Sequence, residues 1–214
     1  MKILLVAATK AEIEPFLKHY SFGDEVPSEI IIGNNQLNVL ITGVGMVATA
    51  FSMARVFSEQ HYDLAINAGI AGSFSSSLPP GEICLVNEDT FAELGAEDGD
   101  KFLSLETLGL GKSTYFPIIS NLLPVQESTR KVKAITVNTV HGDELSIQKI
   151  IDRLNPDIES MEGASFFFSC EQYQVPSLQI RAISNYVEKR NRDNWQIQTA
   201  ISKLNDYLIE LIKL

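Results

Sequence analysis

Six short apolar runs set the strongest limit on what this chain can fold into: Ile3–Ala8, Leu37–Thr42, Leu64–Ala68, Ile83–Asn87, Val132–Val137 and Ser177–Ile183. Several are apolar at successive positions, so both faces of the strand must be covered, which happens between two layers of helices. Segments with helical spacing fall between and after them: Ala11–His19, Val47–Gln60, Glu144–Leu154, Glu162–Tyr173 and Asp193–Ile212. The last opens on an acid, Asp193, and carries an apolar stripe through Trp195, Ile201, Leu204, Leu208 and Ile212. A shorter run, Ile30–Ile32, is read as pairing with Leu37–Thr42 across Gly33-Asn34-Asn35. Strands alternating with helices predict an α/β fold: a three-layer α/β/α sandwich around a central mixed, mostly parallel sheet.

No repeat, low-complexity tract or linker interrupts the 214 residues, so one domain over 1–214 is expected. Acidic side chains outnumber basic ones by 27 to 17, a net charge of −10, which argues against nucleic acid or an anionic membrane as partner. A small molecule remains, and a few local arginines can still receive one carboxylate. The opening MKILLVAATK is too short to span a bilayer and lacks a signal-peptide cleavage pattern. Cys84 and Cys170 stand far apart with no CxxC partner, as buried thiols do in a reducing compartment. A cytoplasmic location is therefore expected. His19, His61 and His141 have no ligand spacing, so no metal is expected either.

In open α/β sheets ligands gather at the carboxyl ends of the strands. The first strand is followed by Ala8-Thr9-Lys10-Ala11-Glu12, the second by Gly43-Val44-Gly45-Met46, the third by Gly69-Ile70-Ala71-Gly72-Ser73. A strand-like stretch, Asp157–Ser160, runs into Met161-Glu162-Gly163. Ser177–Ile183 holds Arg181 and runs into Ser184-Asn185-Tyr186. Two carboxylates, an amide and an arginine thus converge on one edge. The run from Gly43 to Ala48 imitates the dinucleotide fingerprint, which also needs an acid at the end of the following strand. Here Asp63 begins that strand and Asn67-Ala68-Gly69 ends it, so no nicotinamide or flavin cofactor is expected. The glycine pair reads equally well as a tight turn or as a ligand contact. Glu162 likewise reads as complement to a helix dipole or as a receiver of sugar hydroxyls.

In order and spacing, Glu12, Gly43-Val44-Gly45, the Asn67–Gly72 loop, Met161-Glu162-Gly163 and Arg181-Ala182-Ile183-Ser184-Asn185 resemble the nucleoside phosphorylase and nucleosidase superfamily over nearly the whole chain. That resemblance implies roles. Glu12 would orient or deprotonate the attacking water, with Arg181 close by. Glu162 would bind the ribose hydroxyls and Met161 would pack on the sugar. Asn185, after Ser184, would hold the imidazole edge of a purine, and Leu145 would wall the base. Members of the superfamily are oligomers, often dimers, so a homo-oligomer is implied. The chemistry agrees independently. An oxocarbenium-like sugar is stabilised by a nearby carboxylate, a second carboxylate can take a proton from water, and a donor at N7 helps the base depart.

Phosphorolytic relatives carry glycine and arginine in the first loop, whereas this chain has Lys10 and Glu12. A carboxylate repels phosphate and suits water, so hydrolysis is expected. Asn185 replaces the aspartate of methylthioadenosine nucleosidases, and Ile70, before Ala71 and Gly72, replaces a serine of theirs. An asparagine can read a 6-oxopurine or a 6-aminopurine, so the base stays open on this residue alone. Two stretches, Phe91–Asp100 and Asn185–Asp193, are similar to futalosine hydrolases, which use asparagine at the base and release hypoxanthine in a route to menaquinone. Methylthioadenosine, adenosylhomocysteine and 6-amino-deoxyfutalosine remain alternative substrates, and a phosphorylase or an idle nucleoside binder are more distant ones. The futalosine carboxylate gives Arg190 or Arg192 a role as its clamp. The acidic stretch Glu93–Asp100 is read as a solvated loop or part of a lid within 94–113.

Overall fold

The computed structural model describes residues 1–20, 26–123 and 125–213. The chain opens with β1 (Lys2–Ala7) and α1 (Lys10–His19), followed by the hairpin of β2 (Ile30–Ile32) and β3 (Asn35–Ile41). Next come α2 (Met46–Glu59), β4 (Leu64–Ser73) and β5 (Ile83–Phe91), then a separate hairpin of β6 (Gly95–Asp98) and β7 (Lys101–Ser104). A single turn of helix, α3 (Leu105–Leu108), leads to β8 (Thr114–Tyr115) and β9 (Arg130–Thr136). The chain ends with α4 (Glu144–Leu154), β10 (Ile158–Ser160), α5 (Gly163–Tyr173), β11 (Ser177–Tyr186) and α6 (Ile197–Lys213).

The main sheet runs β10-β9-β5-β11-β4-β1-β3-β2, with β8 beside β5. Its centre is parallel (β3 with β1, β1 with β4, β4 with β11) and β11 meets β5 antiparallel. β10 pairs parallel with β9 and also antiparallel with β4, so that half of the sheet closes on itself.

β1 shows why the apolar runs carry no polar alternation. Ile3, Leu5 and Ala7 enter one core with Phe16 of α1 and Leu204 and Leu208 of α6. Leu4 and Val6 enter the other with Met53 of α2 and Phe166 of α5. Helices cover both faces, as the expected three-layer architecture requires. Cys84 and Cys170 are buried and unpaired, and burial pushes the Cys84 thiol up to about 12. No helix among the described residues is long and apolar enough to cross a membrane.

Three local expectations are revised. The third strand does not stop at Ala68. It continues through the glycine-rich stretch to Ser73, because β11 lies along one edge to Ser73 and β10 takes the other at Gly72 and Ser73. Hydrogen bonds from neighbours outweigh the low strand propensity of glycine. The last helix starts at Ile197 rather than Asp193. Asn191 caps a 3-10 turn over Arg192–Asn194 by accepting from Asp193 N–H, and Trp195 is extended (φ −79°, ψ 129°), off the helical stripe. The acidic stretch after Glu93 is the β6–β7 hairpin, turned at Gly99 with φ +65°. The two turn residues are Gly99-Asp100, a glycine-first hairpin signal hidden among acids.

Candidate active site

Glu12 sits in the first turn of α1 and points back to the turn's start. Its Oε2 accepts from Thr9 N (2.9 Å) and Thr9 Oγ1 (3.1 Å), and its Oε1 accepts from Ile70 N on β4 (3.2 Å). Burial raises its pKa above the usual glutamate value, partly offset by the Arg181 charge and the Thr9 hydrogen bond. A carboxylate in that condition is a stronger base than one in water.

Arg181 lies beneath, 1% exposed, on β11. Its Nη2 donates to Asn67 Oδ1 (2.5 Å), and Asn67 Nδ2 is fixed on Val6 O (3.2 Å). Gly69 makes this possible: a Cβ there would collide with the Arg181 guanidinium and stand 2.9 Å from Glu12 Oε1. Both charged groups therefore rest against one bare residue of β4.

Glu162 occupies the N-cap position of α5 yet does not cap it. The cap's usual work, accepting from the second helical N–H, is done by Thr136 Oγ1 on Ala164 N (2.7 Å). Freed from that task, the Glu162 side chain reaches across to accept from Gly45 N (3.1 Å), with Oε2 3.9 Å from Arg181 Nη1. The Gly43-Val44-Gly45 turn has φ +83° and +99° at its glycines, which other residues rarely adopt. It serves a carboxylate of the protein itself. Behind it, Thr136 Oγ1 donates to Asp89 Oδ1 (2.8 Å) and Gln179 Nε2 to Asp89 Oδ2 (2.9 Å). Asp89 is fully buried, and burial lifts its carboxyl to about 6.

These groups border a cavity of about 420 Å³. Of the residues singled out from sequence, Glu12, Ile70, Ala71, Gly72, Met161, Glu162, Ser184, Asn185 and Arg190 line it. Arg181 acts from behind the wall. Leu145 is 75% exposed and stands off the lining, as does Arg192. Arg190 lies over the Trp195 ring, its Cζ 4.9 Å from the centroid, against 5.8 Å for Arg192. Asn185 follows a register shift in β11. Its Oδ1 accepts from Ser184 Oγ (2.8 Å) and its Nδ2 donates to Tyr186 O (2.8 Å). Sequence reasoning passed over Thr9, Asn67, Asp89, His141, Glu159 and Trp195 as parts of the site. Glu159 left one sign, an acid in the strand-like stretch that runs straight into Met161-Glu162.

The arrangement can take a proton from water at Glu12, stabilise positive charge on a sugar between two carboxylates, and hold a polar heterocycle at Asn185. The family described as the phosphorylase superfamily matches residues 2–213. A futalosine hydrolase of Streptomyces coelicolor is 33% identical over 177 residues, covering 79% of this chain and 75% of that one. One from Thermus thermophilus is 28% identical over 171 residues, covering 77% and 76%. Among solved structures, a 5'-methylthioadenosine/S-adenosylhomocysteine nucleosidase from Helicobacter pylori superposes with a TM-score of 0.80 at 15% identity, over 98% of this chain and 97% of that one.

Proposed function

The chain belongs to the phosphorylase superfamily and groups within it with the futalosine hydrolases, and from that premise we propose that it hydrolyses the N-glycosidic bond of futalosine, releasing hypoxanthine and dehypoxanthine futalosine on the futalosine route to menaquinone. The observation that carries this reading is Glu12, a buried carboxylate of raised pKa set in the cavity wall beside Arg181. A carboxylate in that place disfavours a phosphate nucleophile and favours water.

In this reading water attacks the anomeric carbon as the bond to purine N9 breaks, and Glu12 takes the proton that water loses. Glu162, held by Gly45 N–H, accepts the ribose hydroxyls and stabilises the developing oxocarbenium charge. Met161 packs on the sugar, and Asn185 donates to N7 as the base departs. Arg181 keeps Glu12 ionisable despite its burial. The aromatic carboxylate of futalosine runs toward Trp195 and Arg190, where a guanidinium already lies on an aromatic face. Val44, Val47 and Phe51, exposed by 56%, 79% and 70% around the start of α2, support a homo-oligomer in which a second copy covers this face. The buried free thiols agree with a cytoplasmic setting.

The test is incubation of the purified protein with futalosine, methylthioadenosine and inosine in phosphate-free buffer, followed by chromatography of the free bases. Hypoxanthine from futalosine alone is the expected result. Adenine from methylthioadenosine with futalosine untouched overturns the substrate, and strict phosphate dependence overturns the mechanism.

A further inference from the structure

A second polar group of residues faces the same cavity and has no part in the chemistry above. Glu159, 4% exposed, is held at both oxygens by one residue: His141 N donates to Oε1 (3.0 Å) and His141 Nδ1 lies 2.6 Å from Oε2. Both residues line the cavity. Strand pairing fixes where. Gly72 of β4 is the register partner of Asn185 on β11 and of Glu159 on β10. Residues in register share a face of the sheet, so Asn185 and Glu159 flank a position with no side chain. A Cβ at Gly72 would stand 3.4 Å from Asn185 Nδ2 and 3.6 Å from Glu159 Cγ, and 2.9 Å from Val187 Cγ2, whose methyl packs on the bare glycine between them. The two backbones are two strand spacings apart, roughly 10 Å. Both side chains line the cavity, so one heteroaromatic base bound there can meet both.

We propose that Glu159, clamped by His141, is the residue that selects a 6-oxopurine over a 6-aminopurine, accepting the N1–H of the base whose N7 is held by Asn185. The argument is one of donors and acceptors. Going from the 6-oxo to the 6-amino base exchanges an acceptor for a donor at position 6 and a donor for an acceptor at N1. Asn185 donates to N7, an acceptor in both bases, and so does not register that exchange. An ionised carboxylate at N1 does, because it only accepts. Opposite N1–H it gains a charge-assisted hydrogen bond, and opposite a bare N1 it meets a lone pair. Sites built on a buried hydrogen bond reject the analogue that lacks it far more strongly than apolar pockets reject a misfit. His141 is a positioning residue here: it occupies one acceptor site on each oxygen and so fixes the carboxylate's plane.

The inference rests on the reading that Asn185 holds a purine, and its test is separable from the identity of the whole substrate. Trp195, the single tryptophan of the chain, lines the cavity and reports binding by its fluorescence. Hypoxanthine and adenine are titrated into the wild type and Glu159→Gln, and kcat/KM is measured for futalosine and its 6-amino counterpart. The wild type is expected to favour the 6-oxo member of each pair about a hundredfold or more. Glu159→Gln, whose amide can donate to a bare N1, is expected to lose at least tenfold of that preference, part of it as better binding of adenine. An equal change for both bases, or an unchanged preference, overturns the proposal. So does a wild type indifferent to the two bases, a result that needs no variant. Should Glu159→Gln fail to fold, His141→Asn, which removes the ring's half of the clamp and keeps the carboxylate, is expected to weaken the preference, and an undiminished preference counts against the idea. Base discrimination without futalosine cleavage removes the substrate assignment and supports this inference; futalosine cleavage with preference intact in Glu159→Gln does the reverse.

Discussion

Asn205 of α6 completes the helix that carries Glu12. Its Nδ2 donates to the Glu12 carbonyl (2.8 Å) and its Oδ1 accepts from Phe16 N (2.8 Å). In an unbroken helix those two backbone groups would bond each other. Pro15 lies between them, with a ring that crowds the preceding turn, and the buried Asn205 amide bridges the opened pair. The backbone of Glu12 is thereby held from the far end of the chain.

Asn205→Ala leaves both α1 groups unpaired or lets the turn close and carry Glu12 with it. Stability should fall by about 2–4 kcal/mol for two buried orphan groups. At a temperature where circular dichroism shows the variant folded, kcat should drop tenfold or more with KM little changed. A lower Tm with kcat intact would mean that Asn205 only ties the helices together.

Turnover needs Glu12 ionised, and burial raises its pKa above the ordinary glutamate value of 4.5. The acid limb of kcat/KM should therefore lie above pH 4.5. Arg181 opposes the burial effect, so Arg181→Met should move that limb to higher pH. Glu12→Gln should lose about 10²- to 10⁴-fold in kcat while still binding hypoxanthine. A pH profile that does not move in folded Arg181→Met refutes the pairing.

Asp89 works on stability. Its carboxyl is held at about 6 against an ordinary 3.8, so the folded protein binds a proton there that the unfolded chain has already released. The favourable contribution is full below about pH 4 and disappears as pH rises through about 6, a loss of roughly 3 kcal/mol. Asp89→Asn abolishes that decline. Once the Gln179 amide turns, the new Nδ2 can donate to Gln179 Oε1, a buried atom without a hydrogen-bond partner among the described residues. Denaturant melts at pH 4, 5, 6 and 7 should show the variant gaining on the wild type with rising pH; parallel curves would exclude it.

At the cavity rim, Arg190→Ala should raise KM for futalosine about tenfold and leave inosine nearly unaffected, because inosine lacks the carboxylate. Arg192→Ala, off the lining, should do much less. Equal effects on both substrates, or a larger effect from Arg192, would remove the clamp.

Much of this was legible beforehand. The apolar runs gave the layers because each strand feeds two cores, as Ile3 and Leu4 do on opposite faces of β1. Glu12, Glu162 and Asn185 were found because strand ends collect ligands. Glu159 was not, since its importance comes from register: only the pairing of β10 with β4 puts it beside Gly72. Asn205 was hidden for a similar reason, being an asparagine in an amphipathic helix whose partner is 193 residues away. The reach of β4 beyond Ala68 is not legible locally, because glycine's own preference opposes a strand and the neighbours that override it are distant in sequence.

The double pairing of β10 has a consequence for synthesis. A chain made from its N-terminus can pair the start of β4 with β1 at once, but lays down the far end of β4 well before β10 exists to take Gly72 and Ser73, and longer still before β11 takes the other edge. Throughout that interval the nascent protein carries an open, apolar strand of the kind that recruits other chains. Ribosomes crowded on one message would hold several such edges close together. Strand β11 therefore closes that open edge as well as carrying Asn185, and a chain stopped before Ser177 should be recovered as aggregate rather than as a weak enzyme.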